Sequence, residues 1–203
     1  MSQAVAVESH EGQHVADVAE NPLTPESIGK LGMWVFLAAD AMTFGAAIAA
    51  YGALRIGNVN WPVPSTILGI PSTAFMTFVL IVSSVTMVEA LSGLKHGDLA
   101  KCRRFLFYTI LGGLIFLGMQ AREWTHLIAG EGLSIKTSLF SATFFVLTGF
   151  HGMHVTGGVI YNSVMLARAS AGKLRYPILE IAGLYWHFVD LVWILIFTFV
   201  YLI

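Results

Sequence analysis

The chain has 203 residues, of which 56% are hydrophobic and only 11% are charged, and its net charge is −1. Soluble domains carry about 25% charged residues, so a chain this apolar is suited to a lipid bilayer rather than to water. The balanced charge gives no reason to expect a nucleic acid as partner. The single cysteine, Cys102, excludes an internal disulfide and a site built from several thiolates.

Residues 1–28 differ from the rest of the chain and are predicted to form a flexible polar tail. The first 27 residues contain no Lys or Arg and five acidic residues, namely Glu8, Glu11, Asp17, Glu20 and Glu26. A secretory signal begins with a positively charged region, so this segment is not one. His10 and His14 are interpreted as exposed tail residues in preference to a weak metal site.

Residues 29–203 are predicted to form an all-α membrane bundle of five transmembrane helices. A spanning helix needs about 20 mostly apolar residues, and five stretches satisfy this requirement. The predicted helices cover about 29–56, 70–94, 104–128, 137–167 and 178–203. The segment Trp61–Pro64 is predicted to be a non-helical turn at the membrane interface.

The basic residues predict the orientation of the bundle. Eight of the eleven Lys and Arg residues flank the N-terminal end of the first helix or the connections after the second and fourth helices: Lys30, Lys95, Lys101, Arg103, Arg104, Arg168, Lys173 and Arg175. The other side has Arg55, Arg122 and Lys136. Positive charge favours the cytoplasmic side, so we predict a cytoplasmic N-terminus and a C-terminus outside.

Several ionisable residues lie within or near the ends of these helices and are candidate functional residues, because such residues are costly in a bilayer. They are Asp40, Glu89, Glu123, His151, His154, His187 and Asp190. A spacing of three places His151 and His154 on one helix face, and likewise His187 and Asp190. Glu89 and Glu123 lie near helix ends and are expected to reach lipid headgroups.

Three interpretations of these polar residues compete. They could bind a metal or haem, with His154 and His187 as a clamp. They could form a proton relay, or they could be a structural network that holds the helices together. No nucleophile with its base, phosphate loop or dinucleotide motif is present.

Small and aromatic residues give weaker predictions about packing. Gly45, Ala49 and the glycines of the fourth helix predict close helix contacts. Gly112-Gly113 lies inside an apolar helix and is not expected to cradle a phosphate. The five tryptophans are interpreted as interface anchors and packing residues.

Two motifs resemble those of one protein family. Thr148–Val155 (TGFHGMHV) and Leu184–Trp193 (LYWHFVDLVW) are similar to the two C-terminal motifs of subunit III of haem–copper respiratory oxidases. Gln120–Trp124, Ser83-Ser84 and Gly97-Asp98 are weaker matches. The resemblance covers residues 29–203 and leaves out the acidic tail. It is closest to the short five-helix bacterial form, which lacks the first two helices of the seven-helix form.

This resemblance implies a function. A subunit III of this kind is a non-catalytic part of a proton-pumping oxidase that reduces oxygen to water. It would stabilise the catalytic subunit I, bind lipids and support proton uptake in the bacterial cytoplasmic membrane. Haem and copper would lie in partner subunits, and subunit I, subunit II, membrane lipids and a respiratory supercomplex are the expected partners.

The same resemblance assigns roles to the polar residues and leaves some questions open. They are expected to form a structural network without catalytic, metal or cofactor-binding residues. Asp40, His151 and His187 are candidates for a lipid-related or proton-related role, and Asp40 stands where the family often has Glu. The electron donor stays open between cytochrome c and a quinol. The alternatives are an accessory subunit of a nitric oxide reductase and a free-standing proton or metal transporter.

Overall fold

The structure, a computed structural model, describes residues 28–59 and 61–203. The described residues form an all-α fold without strands, which confirms the predicted fold class. Its helices are α1 (Ile28–Ile56), α2 (Pro64–Ile67), α3 (Ile70–Lys95), α4 (Leu99–Ala129), α5 (Leu139–Ser170) and α6 (Tyr176–Ile196), which continues as a π-helix over Phe197–Leu202. The acidic tail, with His10 and His14, lies outside the described residues except for Ile28, which begins α1.

Within the described residues, four helices are long and apolar enough to cross a membrane. They are α1, α3, α4 and α6 with its π-helical extension. The fifth long helix, α5, has 32 residues but is more polar, because it contains His151, His154 and Asn162 together with many Ser, Thr and Gly residues. The prediction of five long helices is therefore confirmed. Length and apolarity alone identify four of them as candidate membrane spans.

Helix α4 begins at Leu99, about five residues before its predicted start. The side chain of Asp98 accepts a hydrogen bond of 2.8 Å from the backbone N–H of Lys101, which caps the helix there. Lys101, Arg103 and Arg104 therefore lie in the first turns of α4. The prediction that they lie in a loop was wrong. Arg168 likewise lies in the last turn of α5. A helix can include such charged turns because about 30 Å of its length suffices to cross the hydrocarbon.

The turn before α3 is shorter than predicted. Trp61–Val63 is not helical, but Pro64 is the first residue of α2. Proline lacks the N–H that the first helical residue leaves unpaired, so this position tolerates it. The prediction that Pro64 is non-helical was wrong for this reason.

The core lies among α3, α4, α5 and α6, and α1 packs mainly against α5 and α6. Trp186 and Trp193 of α6 are fully buried at the centre, so these two tryptophans are packing residues and not interface anchors. The Trp186 ring fits against two glycines, since a Cβ atom on Gly113 would lie 2.6 Å from it and one on Gly158 would lie 2.7 Å from it. Gly113 and Gly158 thus form a cradle for the indole ring of Trp186.

The small residues of α1 do not behave as predicted. A Cβ atom on Gly45 would meet nothing within 4 Å, and Ala49 is exposed. Close packing instead occurs at Gly112 of α4, where a Cβ atom would lie 2.6 Å from the Cβ atom of Ser83. The reason is that α1 lies at the edge of the bundle, whereas α3 and α4 pack along their length.

Candidate functional site within the helix bundle

The candidate site is centred on an ion pair between α1 and α5. The Nε2 atom of His154 lies 3.3 Å from Oδ2 of Asp40, and both side chains are largely buried. The distance is that of an ion pair, although the two atoms are not aligned as a hydrogen bond. Asp40 follows the start of α1 by twelve residues, or about 18 Å along the axis, which places it deep in the bundle.

The hydrogen bonding of His154 determines which of its ring nitrogens faces Asp40 without a hydrogen. Its Nδ1 atom lies 2.8 Å from the carbonyl oxygen of Phe150. A carbonyl oxygen only accepts, so Nδ1 carries a hydrogen and a neutral ring presents an unprotonated Nε2 to Asp40. One further proton can be held between the two groups, on the carboxyl or on the imidazole. In either position the pair has no net charge, which suits the membrane interior.

Aromatic residues surround this pair on three helices. The ring of His154 lies edge-on to Phe150 at 4.6 Å and to Phe44 at 5.2 Å between centroids. The hydroxyl of Tyr185 donates a hydrogen bond of 2.9 Å to the carbonyl oxygen of His154. The site thus joins α1, α5 and α6 in an apolar setting.

His151 lies in a different environment from His154, although the two are three residues apart. It is fully buried, with its ring 4.9 Å from Trp193 and 5.6 Å from Phe116 between centroids. Neither of its ring nitrogens has a hydrogen-bond partner among the described residues. Unpaired nitrogens are costly at full burial, so His151 stays a candidate for a role beyond packing.

His187 joins α6 to α3 and contacts neither histidine of α5. Its Nδ1 atom lies 2.6 Å from the hydroxyl of Ser84, while the neighbouring Trp186 donates to the hydroxyl of Ser83 at 3.1 Å. His187 therefore acts as a contact between α6 and α3, because this face of α6 is directed at α3. Asp190 is buried one turn later, and its Oδ1 atom has no partner among the described residues.

The two glutamates near helix ends have different surroundings. Glu89 of α3 forms an ion pair of 2.7 Å with Lys101 of α4. Glu123 of α4 is half-buried and accepts hydrogen bonds from Thr73 at 3.1 Å and from Tyr201 at 2.9 Å. Its carboxylate therefore points into the bundle. The expectation that Glu123 reaches lipid headgroups was wrong.

Sequence reasoning missed several buried polar contacts. Gln120 donates a hydrogen bond of 2.7 Å from Nε2 to the carbonyl oxygen of Thr148, and the indole of Trp193 donates to Thr77 at 2.8 Å. Gln120 belongs to the family-like segment Gln120–Trp124, so the sequence did indicate that this residue could have a role. Nothing in the sequence indicated the contact of Thr77, because a threonine in an apolar helix commonly forms a hydrogen bond with the backbone of its own helix.

The histidines are not gathered as metal or haem ligands in the part of the chain that the structure describes. No three His, Cys, Asp or Glu side chains come together there. His154 is engaged with α1 and His187 with α3, so the two do not form the suggested clamp. The polar residues are instead distributed as contacts between pairs of helices.

Comparison with known proteins decides the family. The sequence model of the family described as "Cytochrome c oxidase subunit III" matches residues 3–203. The chain belongs to this family. The match also includes most of the acidic tail, which corrects the expectation that the family resemblance begins at residue 29.

Individual relatives agree with this assignment. The chain is 36% identical over 190 residues to "Cytochrome c oxidase subunit 3" of Bacillus subtilis, covering 89% of this chain and 92% of that protein. It is 38% identical over 178 residues to "Probable cytochrome c oxidase subunit 3" of Mycobacterium bovis, covering 85% and 87%. It is 37% identical over 179 residues to the Corynebacterium diphtheriae protein, "Cytochrome c oxidase subunit 3", with the same coverage. The chain therefore spans nearly the full length of these bacterial members.

Proposed function

We propose that this chain is a non-catalytic subunit III of a proton-pumping terminal oxidase that reduces oxygen to water in the bacterial cytoplasmic membrane. The observation that carries the proposal is the family match over residues 3–203. The names of the bacterial relatives favour cytochrome c as the electron donor of the complex. The distribution of the buried polar residues as pairwise contacts between helices is the arrangement expected of a supporting subunit.

All five long helices cross the membrane in this proposal. Helix α5 has no Asp, Glu, Lys or Arg before Arg168, and its 32 residues give a length of about 48 Å. Five spans place the two termini on opposite sides. The ion pair of 3.3 Å between Lys30 and Glu180 supports this arrangement, because it brings the start of α1 beside the start of α6, near the basic connection between α5 and α6. We infer that this basic side is cytoplasmic.

The partners follow from the same reasoning. Haem and copper belong to the partner subunits, and this chain stabilises the catalytic subunit I. The fully buried Trp186 and Trp193 and their hydrogen bonds to α3 support a rigid bundle that can provide such a scaffold.

Phospholipid binding is proposed at the connection between α5 and α6. A polar pocket of 600 Å³ there is lined by Arg168, Lys173 and Arg175, which form no ion pair among the described residues. Three cations at the end of a membrane bundle attract the phosphate of an anionic headgroup. The charge and the position of the pocket support this role.

Support of proton uptake is proposed for Asp40 and His154. The pair can take up one proton, on the carboxyl or on the imidazole, and has no net charge in either position. Such a pair can store a proton within the bilayer at low cost compared with an isolated carboxylate. His187 links α6 to α3 through Ser84, whereas His151 packs among aromatic rings.

The test is purification in mild detergent through a tag on this chain, followed by an optical spectrum and an oxygen-consumption assay. We expect haem and oxygen reduction to co-purify, and the haem to stay with the partner subunits when this chain is removed. A colourless chain that elutes alone would favour a transporter, and haem on the isolated chain would contradict the non-catalytic assignment. Reduction of nitric oxide in place of oxygen would indicate the accessory subunit of a nitric oxide reductase.

A further inference from the structure

The pocket at the connection between α5 and α6, called here the basic pocket, has no acidic partner in the part of the chain that the structure describes. Its three cations are exposed, and no acidic residue lines it: Arg168, Lys173 and Arg175. The nearest acidic residue along the chain, Glu180, is already paired with Lys30 at 3.3 Å. The basic pocket therefore presents positive charge that the described residues do not compensate.

The first residues of α1 lie beside the start of α6. A Cβ atom on Gly29 would lie 3.2 Å from Cδ1 of Ile181, and the rings of Phe36 and Tyr185 follow further along at 6.2 Å between centroids, so the two helices run in the same direction. Arg175 caps α6 six residues before Ile181, or about 9 Å along the axis. The start of α1 and the basic pocket are therefore close neighbours at the same end of the bundle.

The 27 residues that precede α1 carry the opposite charge. They contain five acidic residues and no Lys or Arg. A fully extended chain spans about 3.3 Å per residue, so Glu26, two residues before Ile28, can lie up to about 7 Å from the start of α1. Glu20, eight residues before Ile28, can lie up to about 26 Å from it. The basic pocket is therefore within reach of carboxylates of the tail.

The other basic connection, between α3 and α4, is a poorer match for the tail. Helix α1 packs mainly against α5 and α6, so the tail starts further from this connection. Its cations are also partly engaged, since Lys101 pairs with Glu89 at 2.7 Å and Nε of Arg103 donates to the carbonyl oxygen of Leu99 at 3.3 Å. Position and charge both favour the basic pocket.

We propose that the acidic tail, residues 1–27, docks on the basic pocket of its own chain and competes there with an anionic phospholipid headgroup. The proposal rests on the proposed function, because it concerns access to the phospholipid site. Exposed ion pairs are individually weak, but a short tether gives the tail an effective concentration on the order of 1 mM at the pocket. The tail therefore holds the pocket when anionic lipid is scarce and yields it when such lipid is abundant.

The first experiment detects the contact by disulfide formation in the assembled complex. Asn21→Cys places a thiol in the tail and Ala171→Cys places one beside the pocket, while every charge is kept and the native Cys102 is buried. The matched control combines Asn21→Cys with Ala100→Cys, at an exposed residue of the other basic connection. After oxidation with copper phenanthroline in nanodiscs of phosphatidylcholine, we expect the Asn21–Ala171 disulfide at about five times the control yield or more, because disulfide formation requires Cα atoms within about 7 Å. Equal yields would overturn the proposal.

The second experiment tests whether charge holds the tail. The double change Glu20→Gln and Glu26→Gln should lower the yield of the same disulfide about threefold or more. Glu131→Gln, which removes an exposed acid at the other end of the bundle, is the control and should leave the yield unchanged. Raising the salt from about 0.1 M to about 1 M shortens the Debye length from about 10 Å to about 3 Å and should also lower the yield. A yield that responds to neither change would overturn docking by charge.

The third experiment tests competition with lipid. Replacing about half of the phosphatidylcholine with phosphatidylglycerol should lower the disulfide yield, because the anionic headgroups compete for the same cations. Native mass spectrometry should also find about twice as much bound phosphatidylglycerol on the complex with Glu20→Gln and Glu26→Gln as on the Glu131→Gln control. Equal amounts of bound lipid would overturn the competition. Failure of the phospholipid site is distinguishable, because Arg168→Gln would then leave the bound phosphatidylglycerol unchanged while the disulfide still forms, and failure of the oxidase assignment would show as a chain that purifies without haem.

Discussion

The hydroxyl of Tyr185 donates a hydrogen bond of 2.9 Å to the main-chain carbonyl oxygen of His154. This contact joins the second residue of the α6 motif, Leu184–Trp193, to the residue of α5 that pairs with Asp40. The two family motifs therefore meet beside Asp40, the only acidic side chain of α1, as well as at the contact between His151 and Trp193. A change in the position of α6 would be transmitted to the Asp40–His154 pair through this bond.

The Tyr185→Phe variant tests that link. It removes one hydrogen bond while keeping the ring, so we expect a loss of about 0.5–1.5 kcal/mol in the stability of the bundle. The measurement is the thermal release of this chain from the purified complex. The control is Tyr108→Phe, which makes the same change at an exposed tyrosine of α4. Equal release temperatures for the two variants would contradict the link.

The Asp40→Asn variant tests the shared proton. The amide cannot take up or release a proton at this site, so we expect normal initial oxygen consumption followed by a lower proton-to-electron ratio and faster loss of activity during turnover. The measurement is proton release and oxygen consumption in vesicles that contain the complex. Met42→Leu on the same helix is the control, and an Asp40→Asn complex that matches it in pumping and in lifetime would end this hypothesis.

The paired serines of α3 test how α6 is anchored. Ser83→Ala leaves the buried indole N–H of Trp186 without its partner, which we expect to cost about 1–3 kcal/mol. Ser84→Ala and His187→Leu should each loosen the chain, and the double variant should add little to either single change because both break one contact. Retention of the chain through purification measures the effect. The control is Thr125→Ala, because Thr125 is exposed and its hydroxyl bonds to its own helix. If the losses of retention for Ser84→Ala and His187→Leu add up in the double variant, the two residues act separately.

The Gly113→Ala variant tests the cradle for Trp186. The added methyl group would lie 2.6 Å from the indole and 2.7 Å from Val159, so the core must shift at a cost of about 1–3 kcal/mol. Gly118→Ala lies five residues later in open space and should be neutral or slightly stabilising. Thermal unfolding followed by tryptophan fluorescence compares the two, and indistinguishable midpoints would show that the cradle yields easily.

The number and placement of the long helices could be predicted from sequence because a bilayer demands long apolar segments. The start of α4 could not, since the cap by Asp98 extends the helix through charged residues that hydropathy assigns to a loop. Pro64 was misjudged because its tolerance depends on being the first residue of α2. Such boundaries depend on local hydrogen bonds, whereas the helices themselves depend on composition.

The residues of the candidate site were predicted, but most of their partners were not. Asp40, His154 and His187 stood out as costly groups in a membrane, whereas helix spacing fixes only which residues share a face. It does not determine which neighbour that face meets, and His187 meets Ser84 of α3 and not a histidine of α5. The packing role of Gly113 was not predicted for the same reason, because the ring it accommodates comes from a helix more than 70 residues away along the chain.

The π-helix over Phe197–Leu202 makes the end of the chain sensitive to its length. A π-helical turn holds one more residue than an α-helical turn, so the side chains after Ile196 follow a different register from those before it. In this register Tyr201 faces Glu123, and the carbonyl oxygen of Val200 accepts a hydrogen bond from Tyr51 at 3.5 Å. Deleting a single residue between Ile196 and Val200 would restore the α-helical register and rotate Tyr201 away from Glu123, so a one-residue gap in this segment would be more disruptive than most substitutions there.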